Sequence, residues 1–470
     1  MKNCLPEEFV KNMKELLGEE KYLLLENSYS EEPVQALRIN PLKKHSEDAA
    51  DVRLLLDLEK IPFEDSGYYF DPVKTPGRRP FHDAGVYYIQ DPGAMVPGAV
   101  LTGSDLFRRL NESGNSLRVI DLCASPGGKS TQIAGAMAGK GLLISNEINR
   151  SRAEVLAGNI ERMGITNAVV LNETTDRLAD RFEGYFDAVV VDAPCSGEGM
   201  FRKDPEAIAQ WSLENVSVCT QRQKEILENA YRMLKPGGIL LYSTCTFEKC
   251  ENEDRVNELT LAHSDMKLED ISYIKESAGG CVAGISPCEK AVRLMPPDFK
   301  GEGQFSALMS KAGDSENAFP FGGFENCSKI KDLKPLESFL KETLSKEAAE
   351  KILDAKDRFR LFGDNLYIMP EDTPSLSGLK VLRCGLCIGT FKKDRFEPAH
   401  ALALALGKED VKLFIDTDED TAETYVRGMT LEGEGSGWCI VGVCGYSLGW
   451  GKASGGRIKN HYPKGLRIVG

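Results

Sequence analysis

Leu117-Arg-Val-Ile-Asp-Leu-Cys-Ala-Ser-Pro-Gly-Gly-Lys-Ser130 begins as a short apolar run, turns through two glycines and opens a helical stretch. The run reads as a strand, and Lys129 to Ala138 as the helix that follows. Gly127 and Gly128 let the backbone approach a ligand closely, and the helix start presents free N–H groups. The turn is not a phosphate-binding P-loop, because the Gly-x4-Gly-Lys-Ser spacing is absent, and it lacks the Gly-x-Gly-x-x-Gly fingerprint. By itself it also fits an ordinary strand-to-helix connection. The next apolar run, Gly141 to Glu147, ends on a carboxylate. An acid there accepts hydrogen bonds from both hydroxyls of a ribose. Turn and acid together point to a nucleoside-containing cofactor.

Outward from this unit the alternation continues. Ala168 to Leu171, Phe186 to Asp192 and Gly237 to Thr244 are apolar runs, separated by helical stretches at Arg150 to Met163 and Asn215 to Leu234. Uninterrupted apolar strands between helices imply an α/β fold with a mostly parallel sheet covered on both faces. Phe305 to Lys311 reads as a late edge strand. Two of the runs end on cysteines. Asp192-Ala-Pro-Cys195 follows one, and Tyr242-Ser-Thr-Cys245 closes the other. Either cysteine alone reads as a buried, inert thiol. Two at the exits of parallel strands, with Asp192 adjacent, face one crevice. Such a set suits a pyrimidine. A thiolate adding to carbon 6 makes carbon 5 nucleophilic, an acid at ring nitrogen 3 offsets the developing charge, and a second thiol assists release. The local pattern leaves open which thiol attacks.

The remaining segments divide as follows. Residues 1–85 form a small α+β region, with helices expected at Leu5 to Leu25 and Asp48 to Leu58, a strand at Gln35 to Asn40 and a loop at Pro72 to Pro80. Residues 86–312 hold the sheet. Residues 313–375 read as a linker with a helical piece from Leu336 to Leu353, and 376–470 as a small separate domain. Gly449 to Gly470 carries Lys452, Arg457, Lys459, Lys464 and Arg467 and no acid, a local charge of +5. Tyr446, Trp450, His461 and Tyr462 interleave with them as rings on which bases would stack. Lys392, Lys393 and Arg395 form a second basic cluster. Cys384 and Cys387 have zinc-like spacing, but with no paired motif nearby no metal is expected.

The 470 residues contain 58 Lys and Arg against 72 Asp and Glu, a net charge of −14. This excludes a uniformly basic polyanion binder but not a local basic surface. No apolar run approaches the roughly 18 residues of a membrane helix, and the first residues are too acidic for a signal peptide. A cytoplasmic protein is expected, and its 13 cysteines are expected to be reduced.

CASPGGK, NEINRSR, VDAPCSGEGMFRKDP and YSTCTFEKCENE resemble the motifs of the S-adenosylmethionine-dependent RNA 5-methylcytosine methyltransferases, the Sun-type family. The resemblance spans roughly residues 85–312 and includes GEGQFSALMSK. The whole layout is similar to the RsmF-like ribosomal RNA methyltransferases. It implies a Rossmann-like methyltransferase core, a small N-terminal α+β region and a C-terminal PUA-like RNA-binding domain. It implies that Cys245 is the nucleophile and that Cys195 serves release. It places S-adenosylmethionine against Cys123, Ala124, Ser125, Pro126, Gly127, Gly128, Lys129, Glu147 and Asp192, and makes Lys203 a substrate or phosphate contact. One departure concerns the adenine. Where the family commonly has Asp, this chain has Thr174, with Asp176 two residues on. The expected substrate is a cytosine of 16S rRNA, bound by a monomer and flipped into the crevice. A transfer RNA enzyme with the same core and a non-catalytic ribosome-assembly factor are the rivals. The presence of both thiols disfavours the second.

Overall fold

The computed structural model describes residues 5–112, 116–313, 330, 332–393 and 395–467. Its centre is a ten-stranded sheet. Five strands are parallel: β1 (Arg118–Asp121), β2 (Leu142–Asn146), β3 (Ala168–Leu171), β4 (Phe186–Asp192) and β5 (Leu234–Thr244), in the order β5-β4-β1-β2-β3. Nearly every residue of β2, β3 and β4 is buried. This is why they read as unbroken apolar runs rather than alternating ones. Helices α1 (Gly128–Met137), α2 (Arg150–Arg162), α3 (Thr175–Arg181) and α4 (Leu213–Met233) supply the crossovers.

The Phe305–Lys311 run is not an edge. As β6 (Gln304–Lys311) it pairs with β5 on one side and with Val292–Leu294 on the other. Cys281–Ala283 extends the sheet further. The six leading residues of β6 are buried, and its own pattern could not show that the preceding hairpin covers it. At the opposite edge, β7 (Val381–Cys384) comes from the C-terminal part of the chain and pairs antiparallel with β3. Strands Phe359–Phe362, Asn365–Ile368, Leu386–Lys392 and Arg395–Pro398 form a four-stranded sheet. Five more between Phe414 and Asn460 form the last sheet.

Some expected helices are shorter or divided. The Leu5–Leu25 stretch is two helices, Glu7–Leu17 and Glu19–Ser28, broken at Gly18, which has φ +79°. Only Val52–Leu55 is α-helical within Asp48–Leu58. Leu336–Leu353 is also two helices, Lys334–Thr343 and Lys346–Asp354, the second capped by Ser345. Within the expected linker, residues 314–329 and 331 lie outside the described residues. Among the described residues, no helix is long and apolar enough to cross a membrane.

Candidate active site

The parallel register puts Asp192 opposite Ser243, so β4 and β5 end together. Their two exits hold the thiols in contact, with Cys195 Sγ 3.3 Å from Cys245 Sγ. Contact with Cys245 and burial push the Cys195 thiol well above its ordinary range. Asp192 is the hinge of the site. Its carboxylate accepts from Ser243 Oγ at 2.8 Å and Gln304 Nε2 at 3.4 Å, and pairs with Lys129 Nζ at 2.6 Å. Lys129 comes from the glycine turn. The substrate motif and the cofactor motif therefore meet in one ion pair.

Beside that pair lies a cleft of about 250 Å³, lined by Asp121, Cys123, Ala124, Ser125, Pro126, Gly128, Lys129 and Asp192. Gly127 has φ +115°, and a Cβ on Gly128 would come within 3.0 Å of Gln90 Nε2. The turn thus requires glycine at 127, while Gly128 leaves room for the Gln90 amide beside it. Burial pushes the Asp121 carboxyl up to about 7. Asp192 adds to this, and the bond from Ser130 Oγ opposes it. Among the described residues, Asp121 Oδ1 is buried without a hydrogen-bond partner. Glu147 directly follows β2, close to the expected strand end, but does not line the cleft. It is 4% exposed, accepts from Asn149 N at 2.9 Å and lies 3.4 Å from Arg152 Nη2. Neither Thr174 nor Asp176 lines the cleft. Thr174 is an exposed cap of α3, and Asp176 accepts from Asn229 at 2.7 Å.

Tyr88, Gln90 and Asp91 also line the cleft, and sequence reading missed them. They follow the N-terminal region, whose buried Arg38 bonds Gln90 Oε1, Gly128 O and Thr131 Oγ1 at 2.6–2.7 Å. Nothing in YIQDPG advertises this role, because it depends on docking between distant segments. Lys203 is not a free surface cation. It pairs with Asp91 and lies 3.8 Å from Glu302, which Arg202 holds at 3.0 Å.

Lys452, Arg457 and Lys459 in the last sheet, and Lys464 just after it, are exposed. Arg467 is half-buried and donates to Tyr462 O at 3.2 Å. The expected stacking rings are largely withdrawn. Trp450 is 1% and Tyr462 3% exposed, and Trp450 Nε1 donates to Ala399 O at 2.8 Å. Tyr446 is buried and donates to Ala50 O. Trp450, Lys452 and Trp438 share one face of this sheet, and the helix containing Phe339 covers that face at Trp450. The half-buried ring beside the lysines is Trp438, with His461 4.6 Å away and Lys452 Nζ 5.5 Å from its centroid. Trp438, Lys452 and Lys459 sit directly opposite one another across three strands. Among the described residues, no group of three or more His, Cys, Asp or Glu has metal-holding geometry, and Cys384 packs in the sheet core.

Four family profiles match in order: an N-terminal domain of 16S rRNA methyltransferase RsmF over residues 5–92, the 16S rRNA methyltransferase RsmB/F over 109–310, an RsmF first C-terminal domain over 338–406, and an RsmF PUA domain over 412–468. The small subunit methyltransferase F of Vibrio vulnificus strain YJ016 is 30% identical, over 98% of this chain and 97% of its own. That of Aliivibrio fischeri strain MJ11 is 31% identical, over 92% and 91%. A solved methyltransferase homologue from Pyrococcus horikoshii superposes with a TM-score of 0.53 at 24% identity, over 66% of this chain and 96% of its own. NSun6 from the same organism, solved with SFG, gives 0.54 at 20%, over 66% and 99%. With a Rossmann-like core, the RsmF N-terminal and PUA domains at either end and near-full-length relatives, the chain belongs to the 16S rRNA methyltransferase RsmB/F family, in its RsmF form.

Proposed function

We propose that this methyltransferase moves a methyl group from S-adenosylmethionine to carbon 5 of a cytosine in 16S rRNA, through a covalent bond between Cys245 and carbon 6, in the cytoplasm. The observation that carries the reading is the pair of thiols 3.3 Å apart beside Asp192. The cofactor fits the cleft on its chemistry. The glycine cradle admits a close ligand, and Asp121 and Asp192 suit a cationic sulfonium. Residues Cys123 to Lys129 and Glu147 would hold it. When bound, it supplies an electrophilic methyl group.

The chain's own residues do the rest. The Cys245 thiolate bonds to carbon 6, the ring electrons move toward nitrogen 3, and carbon 5 becomes nucleophilic. Lys129, 2.6 Å from the Asp192 carboxylate, would pass a proton through it toward nitrogen 3 and so offset the charge arising there. Once Cys245 has given its charge to the new bond, the chief influence opposing ionisation of Cys195 is gone. After carbon 5 has bonded the methyl group, Cys195 releases its own proton to solvent and takes the carbon 5 proton, whose bonding electrons restore the carbon 5–carbon 6 double bond. The sulfur–carbon 6 bond breaks, and its electrons return to Cys245.

Cys245→Ala is expected to abolish methyl transfer to 16S rRNA, and Cys195→Ala to accumulate a protein–RNA adduct that survives a denaturing gel. Full activity of Cys245→Ala would overturn the mechanism. Bisulfite sequencing of a deletion strain assigns the substrate, because loss of a transfer RNA methyl instead of a 16S one would redirect the reading. For RNA contact we propose the ledge of Trp438, Lys452 and Lys459, with Arg457 and Lys464. Lysines directly opposite on neighbouring strands repel each other, and a backbone phosphate relieves that repulsion while Trp438 takes a base.

A further inference from the structure

Two carboxylates are buried beside the thiols, and the steps above use neither. Glu198 and Glu251 are both 0% exposed, and among the described residues neither has an ion-pair partner. Both meet one hydroxyl, that of Ser196. Its Oγ lies 2.7 Å from Glu198 Oε1 and in short contact with Glu251 Oε1. Ser196 follows Cys195, and Thr246, which follows Cys245, lies 3.0 Å from the same Oγ. A hydroxyl rung thus sits directly behind the thiol rung.

Counting protons decides the state of this cluster. Glu198 accepts from Trp211 Nε1 and Phe247 N. Glu251 Oε2 accepts from Ser196 N at 3.2 Å and Gln223 Nε2 at 2.7 Å. Glu251 Oε1 has the Ser196 hydroxyl in close contact and Thr246 Oγ1 only at 3.4 Å. Ser196 owns a single hydroxyl proton, and two ionised acids cannot both share it at close range. One further proton, on Glu251, completes a directional chain from Glu251 O–H to Ser196 Oγ and from Ser196 O–H to Glu198. We propose that Glu251 is a neutral positioning acid, which through Ser196 and ionised Glu198 clamps the two cysteine loops so that their thiols meet. The proposal rests on the methyl-transfer reading for its kinetic consequence only.

The surroundings agree. Facing Glu251 are Glu198, the thiols of Cys195, Cys219 and Cys250, and the Tyr242 phenol. The nearby cations are engaged elsewhere, Arg255 with Glu258 and Arg293 with Glu253. Burial, then Glu198, pushes the Glu251 carboxyl up to about 7. Above that pH the proton is lost, and a second negative charge beside the thiols opposes formation of the attacking thiolate.

The test begins on the free, full-length protein, with no RNA. Infrared difference spectroscopy at pH 6, wild type minus Glu251→Gln, is expected to show a neutral carboxylic acid band beyond the Asp121 contribution common to both, and the band fades as the pH passes about 7. A wild-type protein with no Glu251-dependent band overturns the proposal. In turnover, Glu251→Gln keeps the donor toward Ser196, so kcat stays within about threefold of wild type and its decline above neutral pH disappears. Glu251→Ala loses about 100-fold in kcat with KM for RNA unchanged. Glu198→Gln is the damaging isostere, because it turns an amide hydrogen toward groups that already donate. Equal damage from both Gln variants, in folded protein, also overturns the proposal. An active Cys245→Ala overturns the methyl-transfer reading instead and leaves the infrared result standing.

Discussion

At the residue scale, the site turns on side chains whose meaning depends on a distant partner. Lys129 is visible in the glycine turn, but its partner Asp192 is 63 positions later (192 minus 129), and only the parallel register joins them. Lys129→Met is expected to lower the single-turnover rate of methyl transfer by about 100-fold. Cofactor affinity, measured separately by calorimetry, should fall far less. A rate unchanged within twofold would remove the pair from the chemistry. Both thiols were legible from their motifs, since a cysteine just past an apolar strand must lie at the sheet's C-terminal edge. Glu198 and Glu251 were not. A glutamate in Ser-Gly-Glu-Gly or Cys-Glu-Asn-Glu reads as a solvated acid, and its total burial follows from Trp211 and Gln223 packing over it. The same blindness applied to Trp450. A Trp among lysines suggests stacking, but whether its face of the strand is covered depends on a helix more than a hundred residues earlier.

At the element scale, the short strand Ala36–Ile39 acts on the cofactor turn without belonging to its motif. Through Arg38 it ties the first turn of α1 to Gln90. Arg38→Met removes charged hydrogen bonds worth about 1.5–3 kcal/mol each. It is expected to weaken S-adenosylmethionine binding by about tenfold or more. Affinity equal to wild type, by calorimetry, would show that the turn holds its shape unaided. In the last sheet, the three strands carrying Trp438, Lys452 and Lys459 form a unit. Lys452→Ala and Lys459→Ala should each weaken RNA binding across sequences and reduce the slope of log affinity against log salt by about 1. Trp438→Ala should cost about 1–3 kcal/mol with single-stranded RNA. Fluorescence anisotropy over a salt series reads both effects, and unchanged slopes in the double lysine variant would move the RNA path elsewhere.

At the scale of the whole molecule, the N-terminal region bridges the catalytic sheet and the last domain. Asn40 Nδ2 bonds Gly85 O and Met163 O at 2.8 and 2.9 Å. The buried Lys43 ammonium donates to Leu404 O at 3.2 Å and Ser447 O at 2.8 Å. Burial pushes Lys43 down from 10.5 to about 7. Between those values the folded state binds fewer protons than the unfolded one, so this group makes stability rise with pH from 7 toward 10. Denaturation at pH 7 and pH 9 should show the wild type gaining on Lys43→Met by up to about 1.4 kcal/mol per pH unit. Parallel behaviour of the two proteins would show that Lys43 is not buried as a titrating cation. Sequence alone determined the parallel core, its strand order of chemistry and both cysteine exits, because buried strands and tight glycine turns impose local, periodic patterns. Tertiary structure alone decided which residues from other segments complete the site. It decided the Lys129–Asp192 pair, the Arg38 tie, the burial of Glu198 and Glu251 and the exchange of Trp450 for Trp438. Burial and partnership between segments far apart in the chain leave no periodic trace, and they set the charge, protonation and exposure on which the chemistry depends.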